Sequence, residues 1–305
     1  MPAIVHLAAD PEELKLVVEM VVEQDRLGIV SLGLLRSFEL AELSEDKQEQ
    51  QRLTTTVVIG GGPTGVEMAG AIAELGRWTL KDEFRSIDPS EARVLLVEGG
   101  ERILGQFPEH LAQYATEQLQ QLGVTVLTKR RLRDVTSRGV TIDAEFVPAG
   151  TIVWGAGVGA TPVAEWLGIE PTAGGRIEVD ERLAVMNMEN VYAIGDIAAL
   201  QQDGRMLPGL AQVAKQQGEY LGRALRQGPD RAAGFRFHDR GNTAVIGRHA
   251  AIFDFGRFQM RGRLAWLLWA FVHVYLLVSF EKKLLVSLQW LWRYATRARG
   301  VRLIS

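Results

Sequence analysis

The chain has 305 residues, 47% of them hydrophobic, and no cysteine. It therefore excludes disulfides, thiolate metal sites and thiol redox chemistry within these residues, and its length allows two domains or one large domain with a tail. The net charge of −3 is unevenly distributed, because residues 257–305 carry nine Lys or Arg and one acid, which leaves −11 for the rest. Such a basic end, rich in tryptophan, favours an anionic surface, either nucleic acid or membrane.

The first half of the chain predicts helices followed by alternating strands and helices. Apolar residues at helical spacing predict helices in "DPEELKLVVEMVVEQ" and "LLRSFELAELSEDKQEQQRL". The β-branched run "TTTVVIG" predicts a strand before a glycine turn and a helix, and "RVLLVEGG" and "VTVLT" predict two more strands separated by a helix over "PEHLAQYATEQLQQLG". The segment 131–157 reads as short antiparallel strands leading into a buried one. This order predicts an α/β fold with a parallel sheet.

The pattern restarts after Gly157. "GRIEVDERLAVM" and "NVYAIGD" have the composition of strands, "GLAQVAKQQGEYLGRALRQ" predicts a helix, and residues 235–256 predict two or three strands with turns. The rest of the chain is apolar and aromatic.

The glycine turn Gly60-x-Gly62-x-x-Gly65 follows a strand and opens a helix, as a dinucleotide-binding fingerprint requires. The first glycine permits the tight turn, the second lets backbone amides approach a pyrophosphate, and the third lets helix and strand pack closely. Glu98 ends the second strand and is placed to accept a hydrogen bond from a ribose hydroxyl. Its charge would repel the 2′-phosphate of NADPH, so the pattern predicts an NADH site.

Three further polar features have a structural and a functional interpretation. Glu67, expected in the first helical turn and partly buried, either complements the helix N-terminus or faces the cofactor and relays a proton. Asp196, after Gly195, either caps the next helix or faces a ligand at the end of a parallel strand. Gln212 and Gln216 share a helix face, which is either solvated or functional.

A series of motifs in fixed order resembles the type II NADH:quinone oxidoreductases, the single-subunit respiratory NADH dehydrogenases. The motifs are "GGGPTGVEMAGAIAEL", "VLLVEGGERIL", "VWGAGV", "NVYAIGDIA", "LPGLAQVAKQQG" and the apolar tail, and together they cover residues 30–305. The resemblance implies a flavoprotein fold with two dinucleotide-binding domains, FAD in one and NADH in the other, and a C-terminal membrane-anchoring region.

The resemblance also implies residue roles. The NADH site would consist of Gly60, Gly62, Pro63, Thr64, Gly65, Glu98 and Gly157. Gly195 and Asp196 would contact FAD, and the helix start at Leu210, Ala211 and Gln212 would lie near the flavin ring. Gln212 and Gln216 would line the quinone pocket, and Glu67 would assist proton transfer near the nicotinamide.

The sequence departs from this family in one respect. Family members begin with an FAD-binding G-x-G-x-x-G turn about a hundred residues before the NADH turn, whereas none of the 59 residues before Gly60 carries that pattern. Three explanations stay open: a truncated or mis-started reading frame, another chain that supplies the missing part, or a protein that holds no FAD.

The apolar end predicts a membrane anchor. Leu264 to Phe280 is a run of 17 residues without a formal charge, at the short limit for a spanning helix. A second apolar run with Trp290 and Trp292 follows "EKK". Two such helices favour an interfacial anchor over a buried helix pair or a single span, and they disfavour nucleic-acid binding. The resemblance implies the cytoplasmic face of the plasma membrane as the location. His273 on this run is interpreted as a structural histidine.

These observations predict four segments: a helical remnant of the FAD domain (1–50), the NADH-binding domain (51–157), the C-terminal part of the FAD domain (158–235), and strands with anchoring helices (236–305). The predicted function is transfer of hydride from NADH to FAD and of two electrons to a membrane quinone, without proton pumping. The alternative is a flavin-free, membrane-associated NADH-binding remnant. A disulfide reductase is disfavoured because the His-Pro dipeptide of that family is absent. A homodimer is left open.

Overall fold

The computed structural model describes residues 4–7, 18–19, 26–81, 83–157, 159–172, 174–228 and 232–276. Its strands are β1 (Ile4–Leu7), β2 (Val18–Glu19), β3 (Thr55–Ile59), β4 (Arg93–Val97), β5 (Val124–Leu127), β6 (Leu132–Thr136), β7 (Gly139–Ile142), β8 (Glu145–Pro148), β9 (Thr151–Trp154), β10 (Ile177–Glu178), β11 (Ala198–Ala199), β12 (Gln201–Gln202), β13 (Arg205–Met206), β14 (Asn242–Gly247), β15 (Ala250–Asp254) and β16 (Gln259–Gly262). Its α-helices are α1 (Arg26–Leu43), α2 (Lys47–Leu53), α3 (Pro63–Glu74), α4 (Glu109–Gln121), α5 (Val163–Leu167), α6 (Ala211–Gln227) and α7 (Arg263–Leu276).

The described residues form two compact units, with divisions after residue 157 and after residue 240. Unit 1 contains the residues up to 157 and those from 241, and unit 2 contains the residues between them. The helices α1 and α2 belong to unit 1.

Unit 1 is built on a sheet whose described strands have the order β2-β1-β9-β3-β4-β5. The strands β9, β3, β4 and β5 run parallel, as predicted, and β1 pairs antiparallel with β9. Both faces of β3 are buried, because Val58 packs toward α3 and α4 whereas Val57 and Ile59 pack toward the antiparallel sheet β6-β7-β8. Burial on both faces explains why this strand is continuously β-branched.

The helix α3 lies against the strand β14 at very short range. A Cβ atom at Gly70 would overlap the carbonyl oxygen of Ile246, so only glycine permits this approach. The sheet β14-β15-β16 therefore packs onto the dinucleotide-type domain, and Ala244, Ile246 and Ile252 join the same core as Ile72 of α3.

The N-terminal predictions are partly wrong. Val18–Glu19 form the strand β2, so the helix predicted over 10–24 is wrong there, and its other residues lie outside the described residues. The helix predicted over 34–53 is two helices, because Asp46 accepts a hydrogen bond from the Gln48 amide (2.8 Å) and caps α2. β1 is a strand because it pairs with β9, and β2 is a strand because it pairs with β1. Local sequence spacing does not report such partners.

Unit 2 has short strands around α5 and α6. Its core contains Ile177, Leu183, Ala193, Val213 and Phe235. The strand predicted over "NVYAIGD" is wrong: Ile194 has extended dihedral angles, but within the described residues this segment makes only an isolated bridge between Tyr192 and Ala184. Asp196 lies in a 3-10 turn, Gly195–Ile197, and not at the end of a regular strand.

A carboxylate ties α1 to the loop before β4. Glu42 accepts hydrogen bonds from the backbone amides of Arg85 (2.9 Å), Ser86 (2.8 Å) and Ile87 (3.2 Å). Partial burial acts to raise the pKa of Glu42, but these hydrogen bonds outweigh it and hold the pKa below its usual value.

These hydrogen bonds between Glu42 and the loop before β4, called the Glu42 latch below, predict a stability that depends on pH. A lowered folded-state pKa stabilises the protein above the unfolded pKa of about 4.3, and the contribution is lost as the pH falls through the lower folded value. We expect Glu42→Gln to lower the Tm at pH 7, and the difference from wild type to disappear as the pH falls below about 4. Thermal unfolding followed by circular dichroism measures this. The control is Glu45→Gln, because Glu45 is exposed and close in sequence to Glu42. A Tm difference between Glu42→Gln and wild type that stays constant at all pH values would contradict the Glu42 latch.

No helix among the described residues has the length and apolar content that crossing a membrane requires. The helix α7 covers the start of the predicted anchor. The remainder, with His273's side chain, Trp290 and Trp292, lies outside what the structure describes.

Candidate dinucleotide site

Two glycines of the turn between β3 and α3 are required by the fold itself. Gly60 has a φ of +104°, and a Cβ there would lie 2.6 Å from the Ala156 amide nitrogen. A Cβ at Gly65 would overlap the carbonyl oxygen of Gly60, which stands against the first turn of α3. These contacts confirm the tight turn and the close helix–strand packing expected from the sequence.

Gly62 differs from these two glycines. Its φ of −71° suits any residue, and a Cβ there would meet no protein atom within 4 Å. The fold therefore does not need a glycine at this position. The absence of a side chain leaves room for a group to approach the backbone from outside the protein.

The open side of Gly62 faces a cavity of about 550 Å³. Gly62 is the N-cap of α3 and provides no side-chain cap, so the free amides of the first turn and the helix dipole are presented to an anion. Pro63, at the first helical position, has no N–H and contributes no donor. The predicted residues that line this cavity are Gly60, Gly62, Pro63, Thr64, Glu98 and Gly157. Gly65 is buried behind the turn.

Glu98 occupies the position that the sequence predicted, directly after β4. Its two carboxylate oxygens accept hydrogen bonds from the amides of Gly61 and Gly100, both at 2.6 Å. Each carboxylate oxygen has a further lone-pair direction, so this anchored carboxylate retains acceptor capacity for a ribose diol. The cavity thus combines anion-binding amides at one point with a hydroxyl-binding carboxylate at another, and this donor set fits a dinucleotide.

Sequence reasoning missed several residues that line the same cavity: Arg130, Arg131, Leu132 and Trp154. The indole Nε1 of Trp154 donates to the Gly157 carbonyl oxygen at 3.0 Å, which holds the loop after β9. Arg130, Arg131 and Leu132 follow β5, which pairs with β4, and Trp154 ends β9, which pairs with β3. The rule that ligands bind at the carboxyl ends of parallel strands would have indicated them.

Glu67 lies in the second turn of α3 and is exposed, so its predicted place in the first turn and its partial burial are wrong. The 3.6-residue helical period turns its side chain away from the helix start, toward β14. Its Oε1 accepts a hydrogen bond from the Val245 amide at 3.2 Å.

A second cavity of unit 1, about 340 Å³, is lined by Glu67 and Glu74 of α3 and by Trp78, Trp266 and Trp269. Burial raises the pKa of Glu74, although a hydrogen bond from the Arg248 amide and the charge of Arg248 oppose the rise. This cavity thus pairs apolar aromatic walls with a carboxyl group that binds its proton more tightly than usual.

In unit 2, the Gly195–Asp196 turn lies beside the start of α6. A Cβ at Gly209 would lie 3.2 Å from Asp196 Oδ1, so the loop before α6 contacts this carboxylate closely. The N-cap Leu210 provides no side-chain cap, which leaves the first amides of this 17-residue helix beside a half-exposed carboxylate. The predicted residues Gly195, Asp196, Leu210 and Ala211 are thus neighbours, and their donors and acceptors fit a ligand with phosphates and hydroxyls.

Gln217 is a further residue that the sequence analysis missed. It is 1% exposed, and its Oε1 accepts a hydrogen bond from the Gly195 amide at 2.7 Å. It therefore fixes the turn that carries Asp196. The sequence contained a signal for this structural role. At helical spacing Gln217 lies on the apolar face of α6 with Val213, where an amide side chain without a hydrogen-bond partner would be costly.

Gln212 and Gln216 share a helix face, as predicted, and both contact the segment 238–240. Gln216 donates to the His238 carbonyl oxygen (2.9 Å) and accepts from the His238 amide (3.0 Å). Gln212 accepts from the Arg240 amide at 3.2 Å. The two side chains therefore hold this segment against α6, and their interpretation as merely solvated residues is wrong.

Comparisons with known proteins agree with this geometry. Residues 29–218 match the family model of pyridine nucleotide-disulphide oxidoreductases, and residues 240–297 match that of the NDH2 C-terminal domain. The chain is 34% identical over 281 residues to a type II NADH:quinone oxidoreductase of Mycobacterium tuberculosis, with 88% of this chain and 60% of the relative covered. It is 32% identical over 282 residues to an internal alternative NAD(P)H-ubiquinone oxidoreductase of Arabidopsis thaliana, with 85% and 54% covered.

The structure of Plasmodium falciparum NDH2 in complex with NADH superimposes with a TM-score of 0.82 at 19% identity, over 95% of this chain and 74% of that one. This likeness establishes an α/β dinucleotide-binding flavoprotein fold. The chain spans 60% or less of the length of these two curated relatives. By its family match over residues 29–218, the chain belongs to the pyridine nucleotide-disulphide oxidoreductase family.

Proposed function

We propose that this chain acts as a type II NADH:quinone oxidoreductase, which passes hydride from NADH to FAD and two electrons to a membrane quinone without pumping protons. The observation that carries the proposal is the cavity at Gly62, where a glycine that the fold does not require opens uncapped amides to an anion beside Glu98. The similarity to an NADH:quinone oxidoreductase and to an NAD(P)H-ubiquinone oxidoreductase supports the nucleotide and quinone parts of this proposal.

NADH is the nucleotide that this cavity suits. The uncapped first turn of α3, from Pro63 through Thr64, faces the pyrophosphate, and Glu98 binds the adenine ribose. Because Glu98 is anchored by two amides, it cannot swing away from a 2′-phosphate, so NADPH is disfavoured. Gly157, with a φ of +93° in the loop after β9, also lines this cavity.

FAD would be held in unit 2 by the turn Gly195–Asp196 and by the amides at the start of α6, from Leu210 to Gln212. When bound, FAD supplies the two-electron acceptor between nicotinamide and quinone. Asp196 accepts hydrogen bonds from ribityl hydroxyls, and Gln217 holds the Asp196 turn in place. Residues 158–235 are accordingly the C-terminal part of the FAD-binding domain, and residues 1–50 descend from the same domain.

The quinone is bound beside the segment 238–240, which Gln212 and Gln216 fix through its backbone. These glutamines act by shaping the pocket wall. Reduction of a quinone to a quinol consumes two protons, and Glu67 is an exposed carboxylate of unit 1 that carries protons toward the reaction. The quinone is lipid-soluble, which agrees with a membrane location.

The helix α7 supports attachment to the lipid surface at the cytoplasmic face of the membrane. Ala265 and Trp269 pack against Phe253, whereas Leu264, Leu267 and Phe271, at helical spacing, are 70%, 56% and 70% exposed. Apolar side chains at this exposure suit the boundary of headgroups and acyl chains. A homodimer is compatible with this attachment, and nucleic acid is not a partner.

Removal of the residues after Arg263 is expected to release the protein from membranes, because the exposed apolar face of α7 and the basic end are lost together. Flotation of the truncated and complete chains with anionic phospholipid vesicles measures this. Leu225→Ala, which removes an exposed apolar residue of unit 2, is the control and should float like wild type. A truncated chain that still floats would contradict the anchor.

The proposed activity is tested with the complete chain purified in detergent and supplied with FAD. We expect bound flavin in the visible spectrum after gel filtration, and NADH oxidation that requires a quinone. Asp196→Ala should lose flavin but retain NADH binding, because the two sites lie in different units. A wild-type chain that binds NADH but no flavin would instead support the flavin-free alternative.

A further inference from the structure

The loop between β5 and β6 lies directly alongside the residues that follow β4. The Lys129 amide donates to the Gly100 carbonyl oxygen at 2.8 Å, and the Arg130 amide donates to the Glu98 carbonyl oxygen at 3.1 Å. The Asp143 amide donates to the Arg131 carbonyl oxygen at 2.8 Å, which fixes the backbone of the next residue. Arg131 is therefore held one residue from the backbone contact with Glu98.

Three consecutive cations of this loop differ in their partners. Lys129 pairs with Glu101 at 2.9 Å, and Arg130 pairs with Asp143 at 2.7 Å and with Glu145 at 3.3 Å. Within the part of the chain that the structure describes, no ion pair or hydrogen bond engages the guanidinium of Arg131. The Arg131 side chain is exposed and lines the cavity that also contains Glu98 and Gly62.

We propose that Arg131 is a phosphate-binding residue held ready beside the adenine ribose, and that the charge of Glu98 prevents it from binding a 2′-phosphate. A guanidinium without a protein partner presents several donors to a phosphate dianion, and an arginine near this position is how NADP-binding folds accommodate the 2′-phosphate. Anchoring by Gly61 and Gly100 keeps the Glu98 carboxylate beside the 2′-hydroxyl, where it repels that phosphate.

This inference rests on the proposed binding of NADH, and it predicts a nucleotide preference that one substitution alters. Removing the charge in Glu98→Gln keeps an acceptor for the ribose and ends the repulsion. The 2′-phosphate then gains the charge-assisted hydrogen bonds of Arg131. A cation that merely solubilised this surface would have no effect on the preference.

The experiment is calorimetric titration of the complete chain in detergent with adenosine 2′,5′-bisphosphate and, separately, with NADH. We expect Glu98→Gln to bind the bisphosphate at least about tenfold more tightly than wild type, and Glu98→Gln with Arg131→Met to lose that gain. Glu98→Gln with Arg133→Met is the matched control, because Arg133 is an exposed arginine of the adjacent strand β6 that does not line the cavity.

NADH, which lacks the 2′-phosphate, is the reference ligand for the same variants, and we expect Arg131→Met to lower the bisphosphate affinity of Glu98→Gln at least about tenfold more than its NADH affinity. The inference is overturned if Arg131→Met leaves the bisphosphate affinity of Glu98→Gln unchanged, if Arg133→Met lowers it equally, or if NADH affinity falls in parallel. A wild-type chain that binds no NADH overturns the proposed function itself, which separates the two failures.

Discussion

Gly65→Ala is expected to prevent unit 1 from reaching its native fold. The added Cβ would overlap the Gly60 carbonyl oxygen, and both partners are backbone, so no side-chain rotation relieves the clash. Either the start of α3 or the end of β3 must move, although both are packed in the core. Destabilisation of about 4 kcal/mol or more is expected, which is a large part of the 5–15 kcal/mol that typically stabilises a domain.

Thermal unfolding followed by circular dichroism measures this effect, with soluble yield as a second readout. Gly99→Ala is the control, because a Cβ at Gly99 would meet no protein atom within 4 Å. If Gly65→Ala has the same Tm as Gly99→Ala, then α3 and β3 do not approach each other this closely at Gly65.

Gly62→Ala is expected to leave the fold intact and to weaken NADH binding by at least about tenfold, the equivalent of one lost charge-assisted hydrogen bond. The Cβ meets no protein atom within 4 Å and the φ of −71° suits alanine. It projects from the helix N-cap into the cavity, where it prevents a pyrophosphate from reaching the amides of the first turn.

Calorimetric titration with NADH, together with a Tm measurement on the same sample, separates binding from folding. Gly222→Ala is the control, because a Cβ there also meets no protein atom within 4 Å and Gly222, in α6, lines neither this cavity nor the neighbouring one that Gly62 also lines. Unchanged NADH affinity in Gly62→Ala would mean that the pyrophosphate does not bind at this turn.

The sequence predicted the parallel strands, the glycine turn and the place of Glu98, because these depend on local patterns. The run from Thr55 to Ile59 is continuously β-branched and leads into the turn, so strand, turn and helix are specified within twenty residues. Glu98 could be placed because an acid at the end of the second strand of such a unit falls beside the first turn.

Features that depend on distant partners were not predictable in this way. β1 became a strand by pairing with β9 and β2 by pairing with β1, and Gln217 became a support for Asp196 through a contact across 22 residues. Ile194 has the dihedral angles of a strand, but within the described residues its segment does not pair regularly with another strand. Arg131 and Trp154 were missed because only the assembled sheet brings the ends of β5 and β9 to the ends of β4 and β3.

Electron transfer from NADH through FAD to a quinone is tested most directly by anaerobic addition of NADH to the complete chain carrying bound FAD. The proposed function predicts that NADH bleaches the flavin absorbance, that a quinone restores it, and that Gly62→Ala requires at least about tenfold more NADH for the same bleaching. NADH that binds at the Gly62 cavity without bleaching bound flavin would contradict the account.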